Sequence, residues 1–404
     1  MNDRQLVKRV ITCQGSIQLV TALSILNYRK KEQKNLNRHY EDYLVIYDLY
    51  APPGQIEQFA DFVEKMAQFA HNWKAINYIN PEIIDAISKN LATSSPGKIY
   101  DTVHQLVGTD FADQVYLCRN WQFGNQLLIN TYKSAEKICY GDSVGIYFSS
   151  NAPGLFAASN SSKLNIGSYI KKQIKNHYGN IKEKLQLKTV LENVEFDIGY
   201  FVLPDILGEV PPMKNITLDK SQLIETFAKF KGLIDTNYIS EFKEKIGDRP
   251  ILILLTSNFS EAQRMSEEDE INAYRQFLIS QKIEPDTILV IKPHPRDGKI
   301  KIHLLQSTLT DLFANILVIS EPHLFFLPFE ILFAGIFLLS DMSVRDNVKV
   351  LTVSSACLSL KLLFNVPCIV GFGKEITPQF FSENYVEGRL EHEQYLETAI
   401  KRIK

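Results

Sequence analysis

The chain has 404 residues, long for a single core, so two domains of roughly 200 residues each are expected. Hydrophobic content of 45% with 22% charged residues is ordinary for a globular protein, and a net charge of −2 gives no overall attraction to nucleic acid. Five scattered cysteines, Cys13, Cys118, Cys139, Cys357 and Cys368, lack metal-ligand spacing and sit in or beside apolar runs, which suits core positions in a reducing compartment.

In chain order, "LVKRVITC" reads as a strand and "SIQLVTALSILNYRKK" as a helix. "DYLVIYD" precedes "GQIEQFADFVEKMAQFA", whose apolar residues recur at helical spacing. "WKAINYI" precedes "PEIIDAISKNLA", where proline suits the first helical turn. "DQVYLCRN", "FGNQLLINTYKSA" and "EKICYGDSVG" continue the alternation, which predicts a parallel sheet covered on both faces. A basic insertion over about 151–190 follows, including "SYIKKQIKNHYGNIKEKLQLK", and then one strand and a Pro-rich linker in "EFDIGYFVLPDILGEVPPMKN". The alternation restarts with one helix in "SQLIETFAKFKGLIDTNYISEFKEKI", then "RPILILLTS", "SEEDEINAYRQFLISQK", "TILVIKPHP", "ANILVIS", "LPFEILFAGIFLLS", "VKVLTVSS" and "VPCIVGF", and ends in the helix "LEHEQYLETAIKRIK". The predicted architecture is α/β: two Rossmann-like, doubly wound domains, 1–212 and 213–404, facing a central cleft. Ligands of such sheets lie beyond the carboxyl ends of the strands. The N-terminus has no secretory core and no stretch approaches a membrane span, so a cytoplasmic protein is expected, with contact at the inner face of the membrane left open.

Candidate chemistry gathers at these strand ends. In "KPHPR", Pro293 and Pro295 restrict the backbone around His294 and remove two amide donors. That suits a histidine aimed into a cleft, where it can give a proton to a leaving group, with Lys292 and Arg296 attracting a phosphate. A plain turn is the competing account. Ser354 and Ser355 sit where a strand passes into a helix, a place for an anion or for simple capping. Asp142, in "YGDSVG", suits a base for a sugar hydroxyl or a turn cap. Thr256, Ser257 and Asn258 could donate to a phosphate or base. Glu330, in "LPFEILF", needs a partner such as a ribose diol unless it faces solvent at a helix start. "CQGSIQL", with Gly15 and Gln18, is a glycine turn of the kind that lines nucleotide clefts, without the full Gly-x-Gly-x-x-Gly fingerprint.

Taken together, "CQGSIQL", "YGDSVG", "KPHPR", "LPFEIL" and "SS" resemble the bacterial sialyltransferases of GT-B fold, most of all the bacterial polysialyltransferase family. That family carries acidic-acidic-Gly, His-Pro and Ser-Ser or Ser-Thr motifs. The resemblance implies an inverting, metal-independent glycosyltransferase without cofactor, acting in capsule or surface glycan synthesis. It would move sialic acid or a related nonulosonic acid from a CMP-sugar donor to a glycan or sialylated acceptor. Asp142 would be the general base, and His294 the acid that protonates, or at least hydrogen-bonds, the departing phosphate of CMP. Thr256, Ser257, Asn258, Lys292, Pro295, Glu330, Ser354 and Ser355 would hold CMP. Gly15, Gln18, Asn120, Lys171, Lys172 and Lys175 would serve the acceptor. The chain departs from the acidic motif, having Gly141, Asp142 and Ser143, so only the second acid is kept. The lysine segment suits a polyanionic chain, an anionic membrane surface or merely a solvated helix face. Two other readings are a GT-B transferase for CMP-Kdo or a UDP-sugar, and a non-catalytic protein that binds anionic glycan or nucleotide.

Overall fold

The computed structural model describes residues 5–33, 37–52, 54–147, 189–281, 283–284, 286–339 and 343–403. The first sheet contains β1 (Gln5–Cys13), β2 (Arg38–Ile46), β3 (Ala75–Tyr78), β4 (Gln114–Leu117), β5 (Glu136–Cys139), β6 (Ile198–Phe201) and β7 (Lys214–Thr217). Its order is β3-β2-β1-β4-β5-β6-β7 and every pairing is parallel. The second contains β8 (Ile251–Leu255), β9 (Ile288–Lys292), β10 (Asn315–Val318), β11 (Val348–Thr352) and β12 (Cys368–Val370), in the order β10-β9-β8-β11-β12, again all parallel. These are two doubly wound parallel-sheet units of GT-B type.

The apolar runs explain the arrangement. "ILILL" in β8 and "ILVIK" in β9 are buried at every position, as strands covered by helices on both faces must be. The order reverses between β1 and β4 and again between β8 and β11. There, helices leave on opposite faces and open a crevice at the carboxyl ends.

Several elements differ from the sequence expectation, among them the helices Lys299–Thr308 and Gly373–Phe380, which it did not include. β7 pairs with β6, so the first sheet runs past residue 212, the expected domain boundary. Its pattern in "KNIT" is mostly exposed, as an edge strand permits, and hides it from a search for apolar runs. The single long helix expected after it is two, Ser221–Phe230 and Thr236–Ile246, split by a 3-10 turn over Lys231–Leu233 and restarted by Asp235, whose carboxylate caps Asn237 N. An additional helix, Pro96–Val107, precedes β4 and ends at the left-handed Gly108. Among the described residues, no helix is long and apolar enough to cross a membrane.

The two units touch at the base of the crevice. Ser16, at the start of the helix Ser16–Glu32, donates its hydroxyl to the carbonyl of Phe326 at 2.7 Å. Phe59 stacks on Phe326 with ring centroids 4.5 Å apart, and Arg296 lies 4.0 Å over the ring of Tyr50.

Candidate active site

On the second sheet the carboxyl ends of β8, β9 and β11 lie side by side. β9 stops at Lys292 because Pro293 and Pro295 cannot continue the ladder. The turn that follows is held by a short network. His294 N donates to Thr256 Oγ1 at 2.8 Å and to Asp297 Oδ2 at 2.9 Å, and Asp297 N returns a bond to the His294 carbonyl at 2.9 Å. Arg296 N donates to His294 Nδ1 at 3.1 Å, which leaves the imidazole proton on Nε2. Burial, then the cations Arg296, Lys292 and Lys301, push the imidazole down to about 3, so it rests neutral, as a hydrogen-bond donor rather than a standing acid.

Lys292 is buried and donates to the carbonyls of Pro293, at 3.2 Å, and Phe325, at 2.8 Å. Burial pulls its ammonium down to about 8, against the opposing pull of Asp297 and Glu330. Ser354 Oγ lies 3.2 Å from Thr352 Oγ1, and Ser355 occupies the N-cap of the helix Ala356–Phe364 without a side-chain cap bond. The helix Phe329–Ile336 buries Glu330 in its first turn, where the carboxylate accepts from Ser359 Oγ. Burial raises that carboxyl's pKa, while Ser359 and Lys292 lower it.

Asp142 follows β5 in a turn closed by Asp142 N to Ile146 O at 2.8 Å and Ile146 N to Asp142 O at 2.9 Å. Gly141 and Gly145 have φ of +74° and +73°, and a Cβ on them would stand 2.8 Å from Ile146 O and 2.9 Å from Val202 N. Only glycine fits either place. The Asp142 side chain, one-fifth exposed, accepts from Gln18 Nε2 at 2.8 Å, from Ser143 N at 2.8 Å and from Arg119 Nη2.

A single cavity of about 270 Å³ lies between the sheets. The first unit lines it with Ser16, Ile17 and Ser143, the residue next to Asp142. The second lines it with Thr256, Lys292, His294, Pro295, Glu330, Ser354 and Ser355. The family model of alpha-2,8-polysialyltransferases (POLYST) matches residues 12–369, a span that takes in both sides of this cavity. The chain belongs to the alpha-2,8-polysialyltransferase family. Membership makes it a glycosyltransferase of the sialyltransferase kind, which acts on a nucleotide-sugar donor and a glycan acceptor.

Curated protein sequences give no match. Among solved structures, this polysialyltransferase-family chain is similar to a putative UDP-N-acetylglucosamine 2-epimerase from Listeria monocytogenes, at 12% identity and TM-score 0.48, over 98% of this chain and 90% of that one. It is also similar to the GT-B domain of a sialyltransferase from Photobacterium damselae, at 12% identity and TM-score 0.42, over 97% of each chain.

Not every candidate residue of the polysialyltransferase-family chain reaches the cavity. Ser257 and Asn258 lie outside its lining: Ser257 N donates to Tyr274 Oη at 2.6 Å, and its carbonyl accepts from Lys301 at 3.3 Å. Asn120 spends its amide on Val194 O and Glu195 Oε2, at 3.3 and 3.1 Å. Gln18 bonds Asp142, and Gly15 opens the helix that carries Gln18. Lys171, Lys172 and Lys175 lie outside the described residues. Sequence reasoning missed Arg119, which grips Asp142, and Ser359, which grips Glu330.

Proposed function

We propose that the chain transfers sialic acid, or a related nonulosonic acid, from a CMP-activated donor to a hydroxyl of a sialylated glycan, by one inverting displacement without a metal. The reading is supported by one observation above others. Ser143, the neighbour of Asp142, from the first unit, and a histidine, a lysine and two serines from the second, line the same cavity, while Asp142 itself stands just outside the lining. Asp142 takes the proton of the acceptor hydroxyl as its oxygen attacks the anomeric carbon. The bond from that carbon to the phosphate oxygen breaks on the opposite face, and the electron pair leaves with CMP. His294 donates a hydrogen bond from Nε2–H to the departing phosphate and keeps its proton, while Lys292, Ser354 and Ser355 hold the other phosphate oxygens. These donors stabilise the charge where it develops. Glu330, held by Ser359, takes the ribose. The family name points to growth of an α-2,8-linked polymer, with Lys171, Lys172 and Lys175 along the acceptor.

The deciding assay incubates the protein with CMP-Neu5Ac, with and without sialylated acceptors, and follows CMP release and product mass. CMP release that depends on acceptor is expected. Turnover of UDP-sugars instead would replace the cytidine donor. In thermal unfolding, CMP at a hundred times its Kd should stabilise the fold by about 2.7 kcal/mol, whereas UDP and GDP should not. Ser354→Ala with Ser355→Ala should remove most of that gain and leave acceptor binding intact.

Lys292 gives the reaction a pH limit. Its ammonium is lowered to about 8, so it is charged below that pH and neutral above it. Donor KM should rise as pH passes 8, and Lys292→Arg, which stays charged, should move the rise to higher pH. A donor KM flat from pH 7 to 9.5 would remove Lys292 from phosphate binding.

A further inference from the structure

Behind the His294 turn lies a buried ionic cluster that the proposed chemistry does not touch. Lys301, in the first turn of the helix Lys299–Thr308, is 2% exposed. Its ammonium donates to Glu270 Oε2 at 2.7 Å, Asp297 Oδ1 at 2.9 Å and Glu261 Oε2 at 2.9 Å. These three carboxylates stand close enough together to hold a cation, and the lysine is the cation they hold. Asp297 faces both ways. Its other oxygen, Oδ2, accepts from Thr256 Oγ1 at 2.5 Å and from His294 N at 2.9 Å.

We propose that Asp297 and Lys301 are positioning residues for His294. Lys301 fixes the plane of the Asp297 carboxylate, Asp297 fixes the amide of His294 and the hydroxyl of Thr256, and the turn so formed presents the amide of Arg296 to Nδ1. The imidazole is thereby held in one orientation and one tautomer, with Nε2–H toward the cavity. Neither residue lines the cavity, so the effect on chemistry runs wholly through the turn. The inference rests on the reading of His294 as partner of the departing phosphate, and it names the groups that keep that partner aimed. Buried charges left unpaired are costly, which explains why the lysine meets more than one carboxylate and why Asp297 spends both oxygens.

The test uses the full chain with three changes: Thr256→Val, which removes two bonds from the network without altering charge; Asp297→Asn, which keeps the shape; and Lys301→Arg, which keeps the cation. The first two are expected to lower kcat by about 10- to 100-fold, the size of effect that misplacing a reacting group brings, and donor KM should stay within about twofold of the parent in Asp297→Asn, whose residue does not line the cavity. Lys301→Arg is expected to recover most of the activity that Lys301→Met loses. Nitrogen-15 spectra of histidine-labelled protein without ligand supply a readout independent of turnover. The parent should show His294 as a single Nε2–H tautomer, and Thr256→Val and Asp297→Asn should show a mixture. A parent-like tautomer together with parent-like kcat in both variants, each still folded by its melting transition, overturns the inference. If His294→Ala leaves turnover unchanged, the functional reading fails instead, while the spectra still decide whether the network aims the ring.

Discussion

His294→Ala is expected to lower kcat by about 100- to 1,000-fold, the range for losing one hydrogen-bond donor aimed at developing charge, with CMP affinity little changed. The backbone amide of residue 294 survives the substitution, so its bonds to Thr256 and Asp297 remain and the turn stays in place. Only the ring is lost. Because burial and the surrounding cations hold the imidazole neutral, with a value near 3, the ring can offer Nε2–H only as a hydrogen bond, one that strengthens as charge develops on the phosphate. CMP release at saturating donor, alongside calorimetric titration with CMP, checks both halves of the expectation. Unchanged turnover would remove His294 from the reaction.

Asp142→Asn should be as damaging to transfer. The amide keeps an oxygen for Gln18 and Ser143 N but cannot accept a proton, so a loss of about 100-fold or more is expected in transfer to a sugar hydroxyl. Donor binding should be spared, since the CMP-holding residues stand on the other sheet. The change also takes away the charge that Arg119, only 10% exposed in its side chain, faces. A stability loss of about 1–3 kcal/mol should therefore accompany it, and the melting temperature must be measured beside kcat. Transfer at the parent rate in a folded Asp142→Asn variant would place the base elsewhere.

Much of this site was legible because its signals are local. Two prolines around one histidine state a turn geometry within five residues, and the flanking run of Ile288–Lys292 states a buried strand. Gly141 and Gly145 likewise announce the bend that carries Asp142. The side chains that complete the site were not legible, because each is a partner across the fold. Arg119 meets Asp142 from 23 residues away, Ser359 meets Glu330 from 29, and Thr256 meets the His294 amide from 38. Nothing in a one-dimensional pattern selects such pairs. Ser257 and Asn258 show the reverse error: donor-type residues at a strand end whose surroundings turn them to other tasks. The helix Pro96–Val107 was missed although its signals are local, with proline in its first turn and Gly108 at its end. β7 was hidden for a physical reason, since an edge strand needs little apolar surface.

The bond from Ser16 to Phe326, with the Phe59 stack beside it, ties the halves at the floor of the crevice. A hydroxyl and an aromatic ring from the first half thus bear on one residue of the second, so a change at Phe326 reaches both halves at once.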